Sequence, residues 1–334
     1  MKPLRLPPNQ LHRFYRGGTA IARFRGTPSN DEYAPEDWVG STNTVFGDGD
    51  AGLSRFEDGV SVRDAVAADP EGFLGPGRTD TGLLVKLLDA GQRLPVHCHP
   101  DRAFAAQRLG ASYGKTEAWT IVETWRERPR VWLGFREEVD HDTLAGWVEH
   151  QDVDALLGAL NELRVSPGDV IFVPAGVPHA IGEGILMVEL QEPSDFSVLL
   201  EWEGFAIDGR ANGNLGLGWD AALDAVDRSA WTPERVAALR RSTANGERVP
   251  LLPAEAASFF GGERLRPEPE LELELEQSFS ILVVLAGPGR IECADDSLEL
   301  AHGDTVLVPY GAGPCTLAGP LDVIRCLPPG GTDG

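Results

Sequence analysis

Short apolar runs separated by glycine and proline dominate the chain and predict a protein built mainly of β-strands. Residues 83–88 form a mainly apolar run that contains the β-branched Val85, a pattern typical of a buried strand. Residues 270–276 alternate glutamate and leucine strictly, which predicts a strand with one buried face. Further strands are predicted at residues 118–124, 130–135, 165–173, 185–190, 280–285 and 304–309.

A helical period interrupts this pattern between residues 140 and 163. Apolar residues recur there close to helical spacing, at Leu144, Trp147, Val148, Val153, Leu156, Leu157 and Leu160. We therefore predict a helical insertion between strands, with Asp142 or Thr143 as its cap. Shorter helices are predicted at residues 60–68, 220–226 and 233–241, the last with Thr232 as N-cap and Pro233 at the first helical position.

An internal repeat divides the chain. Residues 168–176 read Gly-Asp, a mostly apolar stretch of four and Pro-x-Gly, and residues 303–311 repeat this pattern 135 residues later. Two copies of one strand–turn unit predict two related β-domains. We place the first at residues 1–245, with a helical insertion at about 140–163 and helices at about 220–241, and the second at residues 246–334.

Composition narrows the class of partner. The chain has 334 residues, of which 42% are hydrophobic, and carries 29 Lys and Arg against 52 Asp and Glu, a net charge of −23. This acidity argues against a nucleic acid or an anionic membrane as partner. No apolar run is long enough to span a bilayer, and residues 1–18 lack the apolar core of a secretory signal. Four cysteines without CxxC spacing predict free thiols and a cytoplasmic location.

Candidate chemistry lies in three histidines. His97 and His99 alternate, so on a strand both rings face the same side and can converge on one point. His179 follows the first copy of the repeat, and the second copy has Pro314 at the matching position. Because neutral imidazole is a common metal ligand, we predict a metal site in the first domain and none in the second. Cys98 should point away from that site.

Lysine is scarce, with only Lys2, Lys86 and Lys115 in the chain. Lys86 lies within the apolar run 83–88, where a buried amine needs a partner. Its side chain either reaches the pocket or extends to the end of the strand.

The wider motifs resemble a known family. Gly91-x5-His97-x-His99 and Gly168-x5-Pro174-x-Gly176-x2-His179 match the two signature motifs of cupin β-barrels. The blocks at residues 94–101, 114–119 (Gly-Lys-Thr-Glu-Ala-Trp) and 174–181 resemble the type I phosphomannose isomerases, as do residues 36–41 and 189–195. The resemblance implies a mainly β fold of two cupin-type jelly-roll barrels with helical insertions, the second barrel degenerate.

The same resemblance implies the site. One Zn²⁺ is expected on His97, His99, Glu117 and His179, although the family motif usually has Gln where this chain has His97. Other divalent metals suit such a set as well. The implied reaction interconverts mannose 6-phosphate and fructose 6-phosphate through an enediol, with Lys115 and Asp195 at positions that the family uses for catalysis. The expected partner is therefore a sugar or sugar phosphate.

One departure from the family is notable. The family carries an arginine four residues after the position of Asp195, and this chain has Leu199 there. Three alternatives follow: the substrate is an unphosphorylated sugar, another arginine substitutes, or the protein is a non-catalytic sugar-binding or regulatory cupin. Arg210, on a loop nearby in the sequence, is our candidate for the substitute and is taken as catalytic with Lys115 and Asp195.

Overall fold

Two units of stacked antiparallel sheet make up the protein, as a computed structural model of the chain shows. The structure describes residues 1–28, 31–243, 245–268, 272–294 and 296–330. Among these residues, no helix combines the length and the apolar character that crossing a membrane requires.

The first unit pairs a seven-stranded with a five-stranded sheet. In chain order, the strands between residues 4 and 242 are β1 (Leu4–Arg5), β2 (Gln10–Leu11), β3 (Glu36–Val39), β4 (Leu84–Ala90), β5 (His97–Cys98), β6 (Glu117–Thr124), β7 (Arg130–Phe135), β8 (Leu160–Arg164), β9 (Asp169–Val173), β10 (His179–Ile181), β11 (Ile185–Gln191), β12 (Val198–Leu199) and β13 (Arg240–Ser242). All of them except β1 belong to the first unit. The larger sheet has the order β13-β9-β6-β11-β4-β3-β2, and the smaller has the order β12-β5-β10-β7-β8.

The second unit follows a change of sheet between Ser242 and Arg248. Its strands are β14 (Arg248–Pro250), β15 (Gly261–Leu265), β16 (Glu272–Leu275), β17 (Ser280–Ala286), β18 (Gly289–Cys293), β19 (Asp296–Leu300), β20 (Thr305–Val308), β21 (Cys315–Ala318) and β22 (Asp322–Leu327). One sheet has the order β1-β20-β17-β22-β15-β14 and the other β16-β21-β18-β19. Strand β1 therefore ties the start of the chain to the second unit.

Short helices connect the strands. They are α1 (Ala20–Arg25), α2 (Val62–Ala68), α3 (Pro70–Leu74), α4 (Arg102–Phe104), α5 (His141–His150), α6 (Val153–Ala159), α7 (Gly209–Asn212), α8 (Trp219–Leu223) and α9 (Pro233–Ala238), with a π-helix at Ala105–Leu109 and 3₁₀ turns at Ala254–Ser258 and Tyr310–Ala312. Each of α5 and α6 begins with an aspartate cap, Asp140 and Asp152. Helices α5, α6 and α8 cover a cluster that includes Cys98, so this thiol lies in an apolar layer.

Alternation along the strands of the larger sheet decides which side chains reach the interior. Val85 and Leu87 of β4 pack against a cluster that includes Ile324 of the second unit. Leu88 instead packs in the core between the two sheets of the first unit. Lys86 shares the face of Leu88, because alternate residues of a strand point the same way. The run is apolar because it is buried on both faces.

Two predicted helices extend into residues that form strands. Residues 160–163 belong to strand β8, which pairs with β7 in antiparallel register. Residues 240 and 241 belong to β13, which adds an edge to the larger sheet beside β9. In both places pairing with a distant strand prevails over the local apolar spacing. Of the predicted strand 270–276, residues 272–275 form β16, and residues 270 and 271 lie outside the described residues.

The prediction of four free thiols is wrong for two cysteines. Cys293 and Cys315 form a disulfide, whereas Cys98 and Cys326 are free and buried. The bonded pair are register partners on β18 and β21, with their Cα atoms 4.2 Å apart. The sequence gives no sign of this pairing, since 22 residues separate the two cysteines.

The repeat occupies equivalent places in the two units. Gly168 precedes β9 with φ 90°, and Gly303 precedes β20 with φ 86°, a backbone region that favours glycine. Each glycine thus leads the chain into the strand that lies second from one edge of its unit's larger sheet. The predicted domain boundary between residues 245 and 246 falls where the chain passes from the sheet of the first unit to that of the second. The boundary itself stays a prediction.

Candidate functional site

Four side chains that the sequence predicts as metal ligands converge inside the first unit. His97 on β5 and His179 on β10 are antiparallel register partners in the smaller sheet. His99 follows β5, and Glu117 begins β6 in the larger sheet. The two sheets thus both contribute to one cluster, and all four residues are buried.

The three imidazole rings lie close together. The ring centroids of His97 and His179 are 4.2 Å apart, and that of His99 lies 4.9 Å from the first and 5.0 Å from the second. One nitrogen from each ring lies within 4.8 Å of the other two. The rings therefore present three potential ligand atoms to one point.

Backbone carbonyls fix the orientation of each ring. The Nδ1 atoms donate at 2.8 Å to carbonyl oxygens, those of His97 to Pro95, of His99 to Phe196 and of His179 to Val177. Because a carbonyl oxygen only accepts, each Nδ1 carries a proton, and in a neutral ring Nε2 then keeps its lone pair. Such carbonyl contacts commonly fix the tautomer of a metal-ligating histidine.

Glu117 faces these lone pairs. Its Oε2 lies 3.1 Å from Nε2 of His99, and its Oε1 lies 3.3 Å from Nε2 of His179. Nε2 of His179 is buried and has no hydrogen-bond partner. Without a proton on this nitrogen, its lone pair and the carboxylate repel each other unless a cation lies between them. The donor set of three imidazoles and one carboxylate therefore fits a divalent cation.

Lys115 supplies one positive charge beside the cluster. Its Nζ donates to Oε2 of Glu117 and to Nε2 of His99, both at 2.8 Å. Oε1 of Glu117 also accepts from Nε1 of Trp119 at 2.9 Å. The carboxylate is thus held by neighbours on both oxygens, which orients it toward the rings.

The electrostatics favour the protonation states that ligands need. Burial and the adjacent Lys115 lower the pKa of His99 to about 3, and burial with the neighbouring His179 lowers the pKa of His97 well below its ordinary value. Burial opposes ionisation of Glu117, but Lys115 and His99 keep its pKa well below the ordinary value. At neutral pH His97 and His99 are therefore neutral and Glu117 is charged.

A cavity of about 350 Å³ adjoins the cluster, and its volume lies in the range of small-molecule sites. Its wall includes His97 and Glu117 of the cluster. The other charged residues that line it are Arg13, Glu36, Lys86, Lys115, Glu189 and Asp195. Such a polar wall suits a hydrophilic ligand, and charged groups can bind it or move its protons.

Acidic and basic groups alternate along one part of this wall. Nζ of Lys86 lies 3.5 Å from Oε2 of Glu36 and 3.8 Å from Oε1 of Glu189. Nζ of Lys115 lies 3.6 Å from the same oxygen of Glu189. Lys86 therefore reaches the pocket, which resolves the choice that its sequence position leaves open.

Among the acidic residues of this wall, Glu189 has a raised pKa. Burial raises its pKa to about 7, because the attraction of Lys86 and Lys115 does not outweigh desolvation and the repulsion from Glu117. A carboxyl group that titrates near neutrality can accept and return a proton at physiological pH. Glu36 differs, since Arg13 and Lys86 lower its pKa despite burial.

The three predicted catalytic residues have different locations. Lys115 and Asp195 both line the cavity. Arg210 lies outside it on α7 and is exposed, and its Nη2 donates to the carbonyl oxygen of Glu149 at 3.0 Å. The geometry therefore gives no support to Arg210 as a catalytic residue, because the helix carrying it packs toward α5. Leu199 lines the cavity as the register partner of His97.

Three charged residues of the wall are absent from the sequence-based assignment. Glu36 and Glu189 stand in the stretches that carry the family resemblance, and the position of Glu189 within an apolar strand was a usable signal. Arg13 has no such signal, because it reaches the cavity from the segment after β2. Only the tertiary fold brings it to residues 182 positions away in the chain.

Comparisons with known proteins agree with the motifs. A family model described as the cupin domain of mannose-6-phosphate isomerase matches residues 255–328. A mannose-6-phosphate isomerase of Streptococcus mutans is 26% identical over 321 residues, which are 95% of this chain and 95% of that protein. A mannose-6-phosphate isomerase of Bacillus subtilis is 27% identical over 246 residues, which are 72% of this chain and 73% of that protein.

The fold has a matching solved structure. The crystal structure of the mannose 6-phosphate isomerase from Bacillus subtilis covers 98% of this chain and 99% of its own, with a TM-score of 0.77 and 23% identity. This likeness and the match to the cupin-domain model together confirm the predicted fold class, mainly β with two cupin-type barrels. The sequence relatives confirm the resemblance to the type I phosphomannose isomerases and identify the chain as an isomerase.

Proposed function

We propose that this relative of the mannose-6-phosphate isomerases interconverts mannose 6-phosphate and fructose 6-phosphate in the cavity beside His97, with a bound divalent cation. The observation that carries the proposal is the arrangement around Glu117, where the Nε2 atoms of two buried imidazoles face a carboxylate at 3.1 and 3.3 Å. That arrangement borders a cavity whose wall holds an acid able to move protons at neutral pH.

His97, His99, Glu117 and His179 would hold the cation. Zn²⁺ is our first choice, because three imidazoles and a carboxylate are among its usual ligands. When bound, such an ion polarises sugar oxygens and stabilises the negative charge that develops on an enediolate. Lys115 would keep Glu117 in place through its 2.8 Å contact.

Glu189 would move the proton. An aldose–ketose isomerisation moves one proton from C2 of the aldose to C1 and one from the O2 hydroxyl to O1. A single base that reaches both carbons can make the first transfer, and the second needs a proton donor beside the sugar oxygens. Glu189 lies on the wall, is 2% exposed and stands beside both cavity lysines. We assign it this role, which adds a base to the catalytic set predicted from the sequence.

Lys115 and Asp195 would support the transfer. The ammonium of Lys115 stands 3.6 Å from Glu189, where it can stabilise the carboxylate and donate to a sugar oxygen. Asp195 accepts from Nη2 of Arg13 at 3.2 Å and from the backbone N–H of Phe46 at 3.3 Å. Held in this way, its carboxylate can accept a hydrogen bond from a sugar hydroxyl.

The test is a steady-state isomerase assay of protein loaded with Zn²⁺, with mannose 6-phosphate and free mannose as alternative substrates. We expect turnover of the phosphosugar, with a kcat/KM at least about 100-fold above that for mannose, because buried cations line the cavity. Preference for free mannose would show that the substrate is unphosphorylated. Failure to turn over either sugar, at one cation per chain, would contradict the proposal.

A further inference from the structure

Arg13 enters the cavity from the start of the chain. Its backbone N–H donates to the carbonyl oxygen of Tyr33 at 2.7 Å, which anchors the segment after β2. The side chain lines the cavity and is 12% exposed. It is the one arginine among the described residues that form the cavity wall.

The guanidinium of Arg13 is held in place by two carboxylates, but not all of its N–H groups make hydrogen bonds. Nη2 donates to both oxygens of Asp195, at 3.3 and 3.2 Å. Nε lies 3.5 Å from Oε1 of Glu36 and makes no hydrogen bond, although it is buried. Nη1 has no hydrogen-bond partner within the described parts of the chain. The two carboxylates thus hold the group in place and leave donors for a ligand.

The other cations of the cavity also have acidic neighbours, and none of them presents the planar fork of donors that a guanidinium has. Lys115 donates to Glu117 and His99. Lys86 lies between Glu36 and Glu189 and stands 5.0 Å from the ring centroid of Trp38. His12 lines the cavity with a largely exposed side chain, and its Nδ1 lies 2.8 Å from Asp31. Arg13 is therefore the permanent cation that is best placed to bind an anionic group.

We propose that Arg13 binds the phosphate group of the substrate and thereby sets the preference for a phosphosugar. An arginine suits this task, because its planar fork can donate two parallel hydrogen bonds to phosphate oxygens. Leu199 contributes only carbon atoms beside His97, so this part of the wall offers no competing cation. The inference rests on the proposed function and deepens it by naming the residue that recognises the phosphate.

Binding can be tested without turnover. Glucitol 6-phosphate and glucitol are open-chain probes that lack a carbonyl and cannot isomerise, and their affinities are measured by calorimetry on the Zn²⁺-loaded protein. We expect Arg13→Met to weaken binding of glucitol 6-phosphate by about 100-fold and to leave binding of glucitol within about twofold. Arg13→Lys keeps the charge without the fork, so we expect a smaller loss of about tenfold, again confined to the phosphorylated probe.

Arg130→Met is the matched control, since Arg130 is exposed, pairs with Glu162 and lies outside the cavity. It should change neither affinity. If Arg13→Met and Arg13→Lys weaken both probes equally, Arg13 acts through Asp195 and the inference is wrong. If Arg13→Met does not fold, the result for Arg13→Lys decides. If the unaltered protein binds both probes equally, no phosphate is recognised, and it is the proposed substrate that fails.

Discussion

A His179→Ala variant is expected to lose its bound divalent cation and its isomerase activity together. Nε2 of His179 is buried, has no hydrogen-bond partner and faces Glu117 at 3.3 Å. Removing this ring takes away one of the four proposed ligands, and Glu117 loses one of its neighbours. We expect the metal content after dialysis, measured by atomic emission, to fall from about one per chain to below about 0.1.

His302→Ala is a matched control for this experiment. His302 also donates from Nδ1 to a backbone carbonyl, that of Leu285 at 2.7 Å, but it is exposed and belongs to the second unit. We expect it to keep the cation and the activity. A His179→Ala protein that folds, as judged by its thermal unfolding midpoint, and still retains one cation per chain would refute His179 as a ligand.

A Glu189→Gln variant is expected to keep the cation and lose turnover. The amide has nearly the shape of the carboxyl group but cannot accept the proton from carbon. We expect kcat to fall by about 1,000-fold, within the usual range for loss of a general base, while the metal content stays at about one per chain. Glu183→Gln is the control, because Glu183 is only partly buried and pairs with Arg126 away from the cavity. A kcat within tenfold of the unaltered protein would exclude Glu189 as the base.

The pH dependence of kcat should also identify Glu189 as the base. Burial raises the pKa of Glu189 to about 7 in the metal-free protein, and a nearby cation would lower it by favouring the carboxylate. Since the base must be deprotonated to act, kcat should rise with pH on the acidic side, with a midpoint below about 7. The residual activity of Glu189→Gln should lack this acidic limb. An unchanged limb in the variant would assign it to another group.

The candidate metal ligands were accessible from the sequence because their signal is local. His97 and His99 alternate on a strand, so spacing alone predicts that these two rings can converge. That His179 joins them was implied by the resemblance of the second motif to the cupins. Glu117 lies near these histidines only because the two sheets face each other. Before the structure, only the family resemblance indicated this arrangement. The structure brings these four together, and their role as ligands remains a proposal.

Residues whose role depends on distant contacts were harder to predict. Arg13 reaches Asp195 across 182 positions of sequence, and no periodicity in the chain encodes such a contact. The free-thiol prediction failed for Cys293 and Cys315 for the same reason, since cross-strand register decides their pairing. Residues 160–163 fitted a helical spacing but pair with β7, so a distant strand decided their conformation.

The most direct test of the account is proton NMR of mannose 6-phosphate in D₂O with two samples of the protein, one loaded with Zn²⁺ and one stripped by a chelator. Loaded protein should convert the aldose resonances into those of fructose 6-phosphate, and the stripped sample should leave them unchanged until Zn²⁺ is restored. An unchanged spectrum with folded protein at one cation per chain would contradict the proposed isomerisation. Equal conversion by both samples would contradict the role of the cation held by His97, His99, Glu117 and His179.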